Sequence, residues 1–130
     1  MTASVNIDRR FVLLSASAVG AGTLLTHRAA LAHAQLHRAT PPVGGNVATA
    51  PTEVMLEFTQ SIEPRFSSIV VRDAAGRQVD QGNARAGNND PRRFLVDLSN
   101  LSPGTYKVVW SVMSVDTHRS EGSFNFTFQS

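Results

Sequence analysis

The sequence predicts an all-β fold, a two-sheet sandwich of about seven short strands that begins only after the first third of the chain. Two patterns carry this. Apolar residues recur at every second position in four separate stretches, the period of a strand with one face buried. Clusters of Pro, Gly, Asn and Asp fall between those stretches, and such clusters make turns. Both patterns start beyond residue 40. The residues before it have a different composition and carry a different meaning.

Taken in order, Val54, Leu56 and Phe58 alternate with Met55, Glu57 and Thr59. Ser68 to Arg72 is a shorter β-branched run. Phe94, Val96 and Leu98 repeat the period, as do Tyr106, Val108, Trp110 and Val112, and finally Phe124, Phe126 and Phe128. The turn compositions are Pro41 to Asn46, Asp73 to Gly76, Gly87 to Pro91 and Ser102 to Gly104. Gln60 to Phe66 reads either as loop or as a single turn of helix, and no longer helix is expected after residue 32. Trp110 and the three alternating phenylalanines are expected in the core, because a small sandwich needs large side chains to fill it.

Residues 1–32 have the layout of a secretory signal peptide. Asp8-Arg9-Arg10 opens a charged segment, a run of small and apolar residues extends to Leu25, and Ala30-Leu31-Ala32 closes it with an Ala-x-Ala step. A membrane anchor is the alternative. Ser15, Ser17, Gly20, Gly22 and Thr23 dilute the run, which never reaches the roughly 20 continuous apolar residues that a span requires. Arg9-Arg10-Phe11 resembles a twin-arginine signal, although paired arginines also occur in ordinary ones. The chain is thus expected to divide into an export signal, 1–32, and one domain, 33–130.

Charge and cysteine usage then exclude several classes. The 12 basic and 10 acidic residues lose Arg9, Arg10, Arg28 and Asp8 on cleavage, leaving nine of each. A formally neutral domain without a basic block gives no reason to expect nucleic acid or an anionic surface as partner. There are no cysteines, which removes disulfides, thiolate zinc, iron–sulfur clusters and blue copper.

What remains is a possible nitrogen and oxygen metal site. In an extended Ser114-Val115-Asp116-Thr117-His118, Ser114, Asp116 and His118 share one face, with Asp116 and His118 roughly 6.5–7 Å apart along the strand. A carboxylate and an imidazole at that spacing can converge on one ion. Cleavage after Ala32 would make His33 the first residue, offering a free amine and a ring nitrogen. Three nitrogens and one oxygen in a tetragonal arrangement favour copper(II). Each element has a plainer reading. Asp116-Thr117-His118 suits a turn, and His33 suits a frayed terminus. Cleavage after Ala34 would instead expose Gln35-Leu36-His37, a different copper(II)-binding terminus that needs neither Asp116 nor His118.

The region from residue 33 onward resembles the CopC family of periplasmic copper-binding proteins nearly end to end. The matching residues are His33-Ala34-x-Leu36, Thr40-Pro41 with Gly44 or Gly45, Leu56-x-Phe58-Thr59, and Gly104-Thr105-Tyr106-x-Val108-x-Trp110. Ser114-x-Asp116-Thr117-His118-x-x-x-Gly122-x-Phe124-x-Phe126 completes them. The resemblance implies a seven-stranded, immunoglobulin-like Greek-key sandwich or barrel with one copper(II) at one end. Its implied ligands are His33, through amine and ring, Asp116 and His118. Some members place a carboxylate where Gln60 stands here. Many carry a methionine-rich copper(I) site in the loop that corresponds to Asp73 to Asn83, which here holds neither Met nor His. Of the internal methionines, Met55 falls in an expected strand and Met113 beside the Asp116 segment.

The expected function is an exported, periplasmic copper(II) carrier or buffer, monomeric, with one copper per chain. It would exchange the ion with a membrane copper transporter or another exported copper protein. Ser114 and Glu121 are candidates to orient the ligands, and His37 is expected as a surface residue. Copper-dependent polysaccharide monooxygenases also hold copper with an N-terminal His. They are larger and have a flat aromatic face for which 98 residues leave little room, so the expectation is a binding protein rather than an enzyme. The remaining alternative is an interaction module whose His and Asp are incidental, since fold does not determine function.

Overall fold

A computed structural model describes Gly20 and residues 33–130. The export segment expected over 1–32 lies, apart from Gly20, outside the described residues. The rest is a sandwich of two four-stranded sheets. The strands are β1 (Leu36–Thr40), β2 (Asn46–Val47), β3 (Glu53–Phe58), β4 (Ser68–Arg72), β5 (Arg85–Gly87), β6 (Asp90–Asp97), β7 (Gly104–Met113) and β8 (Arg119–Phe128). One sheet runs β1-β3-β6-β5 and the other β2-β8-β7-β4. Only β5–β6 and β7–β8 are neighbours both in sequence and in a sheet. Every other connection crosses between the layers.

The strand count is eight rather than about seven. β1, β2 and β5 lie outside the five stretches named from the sequence, short pieces with no periodic pattern to announce them. β2 contributes two residues, paired parallel to the end of β8. β5 contributes three, paired antiparallel with β6. Asp90 and Pro91, expected in a loop, open β6. The ambiguous stretch contains one 3₁₀ turn, Pro64–Phe66, the only helical element among the described residues.

The alternation works as a strand requires. Val54, Leu56, Phe94, Val96, Val108 and Val112 are fully buried, and Phe58 and Phe126 nearly so. Trp110 meets Phe58 edge-on, with ring centroids 5.1 Å apart, a favoured aromatic geometry. Trp110 also faces Gly122 across the β7–β8 ladder. A Cβ at Gly122 would collide with the indole ring, so glycine is required there for close approach. Each large core side chain contributes about 1.5–3 kcal/mol by burial, and this core holds the sandwich together without disulfides.

The chain enters this core early. Ala34 is 1% exposed and packs within the apolar cluster. Gln35 donates its backbone N–H to Thr59 Oγ1 at 2.9 Å, and Thr59 N–H donates to Gln35 O at 2.9 Å. The start of the domain is therefore pinned beside the end of β3, at the same end of the sandwich as the β7–β8 turn.

Candidate metal centre

The β7–β8 ladder ends at Met113 paired with Arg119, and the five residues between form a tight turn. Ser114 N–H donates to His118 O at 2.9 Å, and Thr117 N–H donates to Ser114 O at 2.9 Å. Thr117 has φ 69°, a left-handed conformation that is uncommon for a β-branched residue. This corrects the extended reading of Ser114 to His118. Asp116 and His118 do not line one face of a strand. The αL residue bends the chain, and the turn itself brings the two side chains together.

They meet closely. His118 Nδ1 lies 3.3 Å from Asp116 Oδ1. Nδ1 is buried and makes no hydrogen bond that meets normal geometry. Both side chains remain partly open to solvent, 33% for His118 and 45% for Asp116. Ser114, fully buried, donates its hydroxyl to Asp116 Oδ1 and accepts the His118 N–H at 3.3 Å. That hydroxyl is the main reason the Asp116 carboxyl ionises below the usual value, with the adjacent His118 adding to the effect and partial burial opposing it.

The third member arrives from the pinned start of the domain. The His33 ring stands edge-on to the His118 ring, with centroids 5.1 Å apart and planes at 79°. His33, Asp116 and His118, remote in sequence, thus converge at one exposed end. They are not a finished cage, since no three His, Asp or Glu side chains among the described residues are gathered at ligating distance. The donor set nonetheless fits a metal. Ligands about 2.0–2.1 Å from one ion stand about 2.8–3.4 Å from each other, and Asp116 Oδ1 and His118 Nδ1 already do. An unpartnered buried imidazole nitrogen beside a carboxylate is uncommon in a folded protein and calls for an explanation.

Other expectations fall differently. Glu121 does not orient a ring; it accepts from Ser111 Oγ at 3.3 Å on the outer face of β8. His37 is exposed where the β1–β3 register slips between Leu36 and Arg38. Three residues that matter here stood in the matching motifs without a role assigned to them. They are Ala34 and Thr59, which pin His33 in place, and Thr117, whose αL conformation makes the turn. Only the Ser-x-Asp spacing hinted at the Ser114 contact, since a short hydroxyl two residues before an Asp can reach back to it.

Comparison with known proteins agrees with the fold. The pattern that defines the CopC domain matches residues 36–129. Copper resistance protein C of Pseudomonas syringae pv. tomato is 33% identical over 112 residues, 82% of this chain and 88% of that protein. The crystal structure of CopC from Methylosinus trichosporium OB3b superposes with a TM-score of 0.70 at 36% identity, covering 75% of this chain and 94% of that one. That of PcoC, a methionine-rich copper resistance protein from Escherichia coli, gives 0.64 at 28%, covering 75% and 100%. With its two-sheet sandwich and this end-to-end match, the chain belongs to the CopC family of copper resistance proteins.

Proposed function

We propose that this protein is exported, is cut after Ala32, and then carries or buffers copper(II) as a monomer that binds one ion. The ligands are the His33 amine and ring, Asp116 and His118. The observation that carries this is the meeting of the His33 and His118 rings, 5.1 Å apart, beside a carboxylate and an unpartnered imidazole nitrogen. A plain interaction module has no reason to leave that nitrogen unsatisfied.

The pinned start supports cleavage before His33 rather than before Gln35. Removing residues up to Ala34 would delete a side chain that is 1% exposed. It would also discard the ring that faces His118. Cleavage before His33 leaves Ala34 in the core and frees an amine next to both rings. The exposed ligands suit exchange with a partner better than a buried cage would. Copper is the cargo in this reading, and the protein supplies the grip.

The preference for copper(II) rests on the donor types. Imidazole, amine and carboxylate suit it, whereas copper(I) prefers thiolate and thioether. The turn after β4 holds neither Met nor His from Asp73 to Asn83. Intact mass of the exported protein and a copper titration test the proposal together. The expected results are a chain starting at His33, one copper(II) per chain, and no comparable copper(I) uptake under anaerobic reducing conditions. A start at Gln35, or tight one-to-one copper(I) binding, would contradict it.

A further inference from the structure

Ser114 is the one polar residue fully buried among the described residues, at 0% exposure. A hydroxyl removed from water without partners costs about 1–3 kcal/mol, so a lone serine in an apolar core calls for a physical reason. Its neighbours supply one. The Ser114 backbone is anchored on the core side by an antiparallel bridge to Ile62, which is itself 3% exposed. The next residue, Val115, donates its N–H to Ser61 O at 3.1 Å. From that fixed point the hydroxyl reaches into the turn.

Its proton and one of its two lone pairs are used there. The hydroxyl contacts Asp116 Oδ1, and its oxygen accepts the His118 N–H at 3.3 Å. The His118 carbonyl also lies 3.1 Å away, but that oxygen already receives the Ser114 N–H. The single hydroxyl proton therefore goes to the carboxylate, the charged and stronger acceptor. Asp116 Oδ1 is held on the side facing His118 Nδ1.

We propose that Ser114 is a positioning residue for copper(II). It touches no metal, and its buried hydroxyl holds the Asp116 carboxylate and the His118 backbone in the one arrangement that sets both ligand atoms around an ion. The inference rests on Asp116 and His118 being ligands. It goes further by naming what pre-sets them before copper arrives, which is a common use of contacts behind the ligands.

A second turn in the same molecule shows what the serine replaces. Asp73 to Arg77 has the same backbone frame, with Asp73 N–H donating to Arg77 O and Gly76 N–H to Asp73 O. Its first side chain also accepts the N–H of the fifth residue, Arg77, at 2.9 Å. Aspartate performs that structural task there. A carboxylate at position 114 would accept the same N–H but could not donate to Asp116, and two carboxylates would then repel. A hydroxyl can accept and donate at once.

The test is a double-mutant cycle on the mature protein that begins at His33, read as copper(II) affinity by competition with a chelator. Ser114→Ala is expected to weaken copper(II) binding by roughly 10–100-fold, the usual cost of losing a contact behind a ligand. In an Asp116→Ala background the same change is expected to cost under about 3-fold, since only its contact with the His118 backbone is left to lose. Equal losses in both backgrounds would make Ser114 a merely structural part of the turn and overturn the inference. Wild-type affinity in Ser114→Ala would do the same. Should the alanine variant fail to fold, the isosteric pair Ser114→Thr and Ser114→Val repeats the comparison at constant volume. The threonine variant is expected to bind at least about 10-fold tighter, and equal binding by the two would overturn the proposal. A wild-type protein that takes up no copper(II) would instead remove the ligand reading itself, before any variant is made.

Discussion

Two turns at opposite ends of the sandwich share one backbone plan and differ in what they leave unfinished. Asp73 to Arg77 follows β4; Ser114 to His118 joins β7 to β8. In each the first N–H bonds the fifth carbonyl and the fourth N–H bonds the first. In each the fourth residue is left-handed, Gly76 at φ 83° and Thr117 at φ 69°. In the first turn both oxygens of the Asp73 carboxylate are taken. Asp73 Oδ1 accepts from Ala75 and Arg77 N–H at 2.9 Å, and Oδ2 accepts from Arg77 Nε at 3.1 Å. In the second, Asp116 is bound by one hydroxyl and faces a buried imidazole nitrogen that bonds nothing. The same loop geometry makes a closed structural corner at one end and, at the other, the open corner proposed to bind copper. What separates them is the unsatisfied donor atoms.

The largest expected difference lies in copper(II) affinity. His118→Ala should weaken binding by more than the roughly 10–100-fold that losing a supporting contact costs. Asp116→Ala should weaken it less, because imidazole is the better copper(II) ligand. Asp73→Ala should leave copper binding unchanged and lower the apo melting temperature instead. Chelator competition and thermal melts on the three variants check the contrast. A loss of copper affinity in Asp73→Ala, or an unfolded apo His118→Ala, would erase it.

The left-handed positions sharpen the comparison at a smaller scale. Gly76→Thr places a β-branched residue in αL, which costs about 1–2 kcal/mol. Thr117→Gly removes a similar strain of about 1–2 kcal/mol but adds glycine's chain entropy of about 0.5–1 kcal/mol, so a net gain of about 0–1.5 kcal/mol is expected. Denaturant melts of the apo proteins measure both. Destabilisation by Thr117→Gly would show that the threonine is not strained there.

Acid gives the smallest separation. Hydrogen bonds from the Arg77 and Ala75 backbone and from the Arg77 side chain hold the Asp73 carboxyl below its ordinary value, against a partial burial that would raise it. For Asp116 the Ser114 hydroxyl has the larger part. A depressed carboxyl contributes stability that is present above its unfolded value, near 3.8, and is lost as pH falls through its folded value. Apo stability should thus be insensitive to either group above about pH 5 and decline below it. Asp73→Asn and Asp116→Asn should each flatten that decline. A wild-type acid limb unchanged in both variants would show that neither pairing matters to folding.

The comparison also shows what could be read from the sequence. Strands whose faces alternate, such as Val54-Leu56-Phe58 and Phe124-Phe126-Phe128, were legible because burial imposes a period. β2 and β5 were not, since two or three residues carry no period and their pairing is set by distant partners. His33, Asp116 and His118 were named as a set that comes together, and they do, but Ser114 to His118 was taken as extended. Nothing in a threonine announces αL, whereas Gly76 in the matching turn does. His33 could be nominated from the cleavage step and the resemblance. Its placement depends on Ala34 filling a core position and on Thr59 bonding Gln35, neither of which has a local signature.

The most direct test of the central claim compares the mature protein beginning at His33 with the same protein bearing one added N-terminal Gly. Both keep the His33, Asp116 and His118 side chains, and in the extended protein the His33 amine has become an amide and is lost as an amine donor. Copper binding displaces ligand protons, and a free α-amine holds its proton up to about pH 7.7–8.0. Copper(II) affinity measured between about pH 6 and 9 is expected to be markedly lower for the extended protein near neutrality and to rise less steeply with pH. Equal affinities and equal slopes would show that the chain terminus is not a ligand, and the site at the open turn would have to be redrawn without it.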